Sequence, residues 1–254
     1  MTKEEALFQF LLRKADDSLI LGHRLSEWCG HGPILEEDIA LSNIALDLIG
    51  QATELFKYAA EVEGKGRTED DLAFLRIERE YRNVLLVEQP NGDFGKTIVR
   101  QFFFDQFELL FYQALTQSKD DHIKAIAEKT ILEIRYHARH SAEWIIRLGD
   151  GTEESHERVQ KSINELARFV DELFYQDEVD EILINAGIIA DSKKLREAFD
   201  KNVADILSEA TLSLPENNWQ NKITSGRKGI HTEHLGYLLT ELQYMQRTYP
   251  GLQW

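Results

Sequence analysis

The chain has 254 residues, 43% hydrophobic and 29% charged, enough apolar material for one compact body with a sizeable core. Its formal net charge of −16, from 45 acidic against 29 basic residues, opposes binding to nucleic acid or to an anionic membrane surface. The single cysteine, Cys29, excludes a disulfide framework and a four-thiolate zinc site within the chain; the apolar runs are too short for a membrane span and MTKEEALFQF lacks a secretion signal, so the expected compartment is the cytoplasm.

Only four prolines interrupt apolar residues spaced by three and four, which predicts an all-α fold. A first helix runs from about Lys3 to Cys29, opened by a Thr2–Glu5 capping box, with Leu7, Phe10, Leu11 and Leu25 inward. A second spans Glu36 to Glu63 with Ile44, Leu48, Ala52, Leu55, Phe56 and Ala59 on one stripe, and a third runs from Thr68 to about Leu86. The fourth, Phe94 to Ser118, contains FFFDQFELLFYQAL, apolar around so much of its circumference that it should be deeply buried. The fifth, Asp121 to Leu148, turns Ile123, Ile126, Ala127, Ile134, Ala138, Ser141 and Ile145 inward. A sixth follows from Glu153 to Tyr175, then helices over DEVDEILINAGI and DSKKLREAFDKNVADILSEATL. A loop with Pro215 and SGRKG precedes a last helix, Thr232 to Thr248, with Leu235, Leu238, Leu239, Leu242 and Met245 inward and Thr232 as its cap.

Several of these helices reach about 25 residues, against a globular mean of about 11 to 12, and such lengths suit an up-and-down bundle. The expected arrangement is a single domain over 1–254. Its antiparallel four-helix core, about 3–150, comes from the first, second, fourth and fifth helices, and the helices of 151–254 pack against it. The mixed-charge stretches GRTEDDLAFLRIEREYRN and IIRLGDGTEESHERVQ read as solvated faces.

A di-metal bundle needs a Glu from each of two helices and a Glu-x-x-His from each of the other two, because residues three apart point to the same side. Glu153 with His156 is the one such pair, and it sits at a predicted helix start, where acids cap and meet the dipole. At mid-helix Asp47 is followed at three by Gly50, and Glu133 by Tyr136, with His137 at four and His140 at seven. A degenerate site from Glu133, His137 and His140, helped by Glu108, stands against the preferred reading of His137 as a hydrogen-bonded histidine at the core edge. His231 and His234 are spaced for zinc but lack the HExxH context. No dinucleotide fingerprint, P-loop or nucleophile elbow is present. Cys29 beside Trp28 reads as a packing residue, and the glycines around Arg227 and Lys228 as a turn.

The segments LSNIALDLIGQA and RYHARHSAEWIIRLGDGTEES, and above all the C-terminal GRKGIHTEHLGYLLTELQYMQRTYPGLQW, resemble the PaaC-type subunit of bacterial 1,2-phenylacetyl-CoA epoxidases. The likeness runs from DSLILGHRLSEW to Trp254. It implies a ferritin-like bundle in phenylacetate degradation, paired with a related catalytic subunit that holds the di-iron centre. That complex adds oxygen across the aromatic ring of phenylacetyl-CoA to give the 1,2-epoxide, with electrons from a reductase that uses NADPH, FAD and iron–sulfur. In such complexes the C-type subunit is structural, so the resemblance assigns no catalytic, cofactor-binding or metal residue to this chain. It implies hetero-oligomeric assembly with the other components, and self-association is expected when the chain is alone.

Two other classes compete. One is a self-sufficient di-metal oxidase or iron-binding protein using Glu27, Asp47, Glu108, Glu133 and His137. The other is a CoA-thioester-binding module with Arg227 and Lys228 on the phosphates.

Overall fold

The computed structural model describes residues 1–215 and 225–252. Residues 216–224, which carry most of the loop expected after Pro215, and the last two residues, including Trp254, lie outside the described residues. In chain order the α-helices are α1 (Lys3–Ser26), α2 (Leu35–Glu63), α3 (Glu69–Phe74), α4 (Leu85–Glu88), α5 (Phe94–Leu115), α6 (Asp121–Gly149), α7 (Glu153–Leu166), α8 (Glu178–Ala186), α9 (Arg196–Glu209), α10 (Glu233–Leu242) and α11 (Tyr244–Thr248), joined by short 3-10 turns. No strand occurs among the described residues. The all-α architecture is consistent with a ferritin-like bundle.

The chain divides into two compact units, one of residues 1–90 with 225–254 and the other of residues 91–224. In the first, α1 and α2 form a long antiparallel hairpin. Thr2 opens α1 with the expected capping box, its hydroxyl accepting from the Glu5 amide at 3.1 Å. The helices approach closely at Gly22, where a Cβ would meet the Ala45 carbonyl at 3.2 Å and Ile49 at 3.1 Å. All six residues of the expected α2 stripe are buried.

In the second unit, α5 and α6 form the corresponding hairpin, with α7, α8 and α9 packed in the same unit. Asp93 and Asp120 cap the two long helices through the amides of Lys96 and of His122 and Ile123. The expected inward residues of α6 are all buried, as are Phe102, Phe103, Phe104, Phe107 and Phe111 of α5. Phe107 meets Phe174 edge-on at 5.1 Å, and Phe174 meets Phe199 of α9 at 5.2 Å, so an aromatic chain ties α5 to the outer helices of its unit. At the far end of α6, Gly149 lies so close to α9 that a Cβ would stand 2.4 Å from the Ala210 carbonyl.

Four expectations need correction. The third helix is not continuous: α3 ends at Phe74, and the chain to α4 is mostly non-helical. Tertiary partners take its backbone groups, since the Asp16 carboxylate accepts the Arg82 amide at 2.7 Å and the Asp17 carboxylate the Val84 amide at 2.8 Å. The stretch read as a solvated face buries Leu72, Arg76 and Tyr81. The last helix is split at Gln243, whose buried amide donates to the Arg76 carbonyl and the Tyr81 hydroxyl, while Met245, expected inside, is exposed. The sixth helix likewise tightens to a 3-10 turn from Ala167 to Phe174.

Candidate functional site

Polar side chains buried inside an apolar bundle are the natural place to look for chemistry, because each costs free energy unless it is paired. Asp16, Asp17 and Glu88 are such carboxylates in the first unit. Asp16 is bound by the Arg76 guanidinium through both oxygens. Arg76 also donates to the Leu72 and Glu80 carbonyls and lies 4.3 Å over the Tyr81 ring. Burial disfavours charge on Arg76, but the Asp16 carboxylate more than offsets this and its pKa is raised. Tyr81, also buried, has its phenol pKa raised, chiefly by desolvation.

Asp17 is bound in the same fork geometry by Arg227, at 2.8 and 3.1 Å. The same guanidinium donates to the carbonyls of Arg82 and Arg13. Glu88 accepts from the Thr232 amide at 2.6 Å, the Thr232 hydroxyl at 2.7 Å, the Asn83 amide at 2.9 Å and His231 Nδ1 at 2.8 Å. The other ring nitrogen of His231 faces the Tyr81 carbonyl at 3.1 Å. Burial lowers the His231 pKa, but the hydrogen bond and charge of Glu88, with the Tyr81 carbonyl, outweigh burial and the net shift is upward, toward the imidazolium. Thr232, expected to cap α10, makes no cap hydrogen bond because its hydroxyl serves Glu88. Together these pairs fasten the segment from Gly226 to Thr232 onto α1 and the residues before α5.

In the second unit the polar cluster centres on Asp105, buried within the aromatic run of α5. Gln101 Nε2 donates to one oxygen at 2.6 Å and the Ser141 hydroxyl of α6 to the other at 2.9 Å. Desolvation pushes its pKa up to about 7; the charge of His137 and the two hydrogen bonds pull it down, and the charge of Glu108 adds to the rise. His137 is buried, closer to the core than its expected edge position, while His140 and Glu133 are half-exposed. Sequence reading passed over Asp105, although a lone acid within FFFDQFELL was its signal.

Gly50 and Tyr136 are exposed, and Glu27 is exposed and paired with Arg24 at 2.8 Å. Glu153 is exposed at the start of α7, and His156 Nδ1 lies 2.8 Å from the Gly149 carbonyl. Among the described residues, no three His, Cys, Asp or Glu side chains are grouped so as to hold a metal ion. Arg227, one of the two cations weighed for CoA phosphates, is buried and paired with Asp17. Cys29 is exposed. No helix among the described residues is long and apolar enough to cross a membrane.

The chain matches the family described as phenylacetic acid catabolic protein over residues 1–254. It is 50% identical over 248 residues to the C-type subunit of the 1,2-phenylacetyl-CoA epoxidase of Escherichia coli (strain K12), covering 98% of this chain and 99% of that relative.

Proposed function

Because the chain belongs to the phenylacetic acid catabolic protein family, we propose that it works as the C-type subunit of a 1,2-phenylacetyl-CoA epoxidase and serves that complex as a structural, non-catalytic component. The observation that carries the reading is the full-length likeness to a C-type epoxidase subunit. The buried polar groups support the structural half of it: Asp16, Asp17 and Glu88 are each engaged by an arginine or histidine of the chain itself.

In this proposal the di-iron centre belongs to a related catalytic subunit, and NADPH, FAD and iron–sulfur to the reductase. The chain holds the catalytic bundle folded in the cytoplasm, and associates with itself when that partner is absent. Interfaces of this permanent kind commonly bury about 2,000 Å² or more and are rich in apolar contacts. Co-expression with the candidate catalytic subunit, followed by size-exclusion chromatography and iron analysis of each separated chain, tests the role. The expected outcome is a stable hetero-oligomer whose iron follows the catalytic subunit. Iron at about two equivalents in this chain alone, lost on replacing Glu133 or His137, would refute it.

A further inference from the structure

We infer that the outer face of α10 and α11 is a self-complementary docking stripe for a second copy of this chain. The inference rests on the self-association proposed above and names the surface that produces it. Glu233, Tyr237, Thr240, Tyr244 and Arg247 are all exposed, and they recur at spacings of four, three, four and three, the period of a helix-pairing seam. Tyr237 is 71% and Tyr244 58% exposed, although the opposite face of the same segment buries Leu235, Leu238, Leu239 and Gln243. α10 and α11 meet at Gln243, where the Gln243 amide still donates to the Leu239 carbonyl and the Arg247 amide to the Gln243 carbonyl, so the exposed residues follow one another across the junction.

The order of residues along the stripe selects the occupant. An antiparallel copy related by a two-fold axis at Thr240 places Tyr237 of each chain beside Tyr244 of the other and Glu233 of each beside Arg247 of the other. Unlike charges then meet at both ends and small side chains meet at the centre. The Thr240 hydroxyl is already spent on the Gly236 carbonyl at 2.8 Å, so the residue offers its methyl group to the axis. Beside the stripe lies a groove of about 350 Å³ lined by Ile77, Gly236, Leu239, Thr240 and Tyr244, where an incoming tyrosine ring can lodge. Exposed tyrosine, apolar and arginine side chains around a groove have the composition of an interface centre.

Sedimentation equilibrium on the full chain alone reads the proposal. The wild type is expected to dimerise, and Thr240→Arg, which sets two like charges face to face, to weaken association at least about tenfold without changing the helical signal or the thermal midpoint. Glu233→Arg and Arg247→Glu should each weaken self-association, and an equimolar mixture of the two should regain it as a mixed dimer, because every end pair is then opposite in charge. Arg247 also donates to the Arg76 carbonyl, so Thr240→Arg stands as the independent variant if Arg247→Glu proves unstable. A wild-type chain that stays monomeric, a dimer indifferent to Thr240→Arg, or a mixture that fails to regain association overturns the stripe. Binding of the catalytic subunit by the same variants reports separately on the broader role. If Thr240→Arg abolished that binding and left self-association intact, the stripe would belong to the catalytic subunit and the proposal would fall.

Discussion

A carboxylate taken out of water must find a cation, find several donors or keep its proton, and this chain shows each of these. Asp17 is ion-paired with Arg227 at 2.8 Å, so Arg227→Leu, which leaves the buried carboxylate only Lys14 at 3.5 Å as a cation, should cost about 3 kcal/mol in urea unfolding. Adding Asp17→Asn should recover much of that loss, since removing both charges is far milder than removing one. Asp105 accepts from the neutral Gln101 amide and Ser141 hydroxyl and burial raises its pKa from 3.8 to about 7, so the folded state binds a proton that the unfolded state releases. Stability from this group is therefore full below about pH 4 and declines until about pH 7, by on the order of a few kcal/mol. Asp105→Asn should flatten the unfolding free energy across that window, and an unchanged profile would contradict the assignment. His231 works in the same direction at higher pH. Its folded pKa lies above the unfolded 6.5, so its contribution is complete below 6.5 and is lost as pH rises through the folded value. In His231→Gln, stability measured from pH 6 to pH 9 should lack that decline.

At the scale of elements, close approach and open space give opposite outcomes for the same chemical change. Gly149→Ala forces a Cβ against the Ala210 carbonyl and should cost about 1–3 kcal/mol. Gly50→Ala, at an exposed position with nothing within 4 Å, should gain about 0.5–1 kcal/mol from helix propensity. Thermal unfolding of both variants checks the contrast. The long helices were legible because their signals are local: the Thr2–Glu5 box and the buried stripe of α2 are written within one helix. The break after Phe74 was not, because the groups that draw the chain out of helix there, Asp16 and Asp17, lie more than sixty residues away in sequence. A separation of 210 residues hid the pairing of Arg227 with Asp17, so a glycine-flanked arginine read as part of a turn while its guanidinium lies buried against α1. Sequence spacing located His137 on α6 but not the depth of its burial or its neighbour Asp105, which depend on how α5 and α6 meet.

For the whole molecule the proposed function amounts to a division of labour, in which this chain would contribute fold and assembly and a related subunit the oxygen chemistry. Under that proposal the net charge of −16 would favour solubility of the unpartnered chain. Substitutions at Glu133 or His137 should then lower the stability of the assembled complex and leave turnover per intact catalytic site unchanged. The most direct measurement is phenylacetyl-CoA epoxidation by reconstituted components with one left out at a time. The expected result is no turnover by this chain with the reductase alone, and a catalytic subunit that loses solubility and activity when this chain is omitted. Turnover by this chain with the reductase alone, or a catalytic subunit fully soluble and active in its absence, would contradict the account.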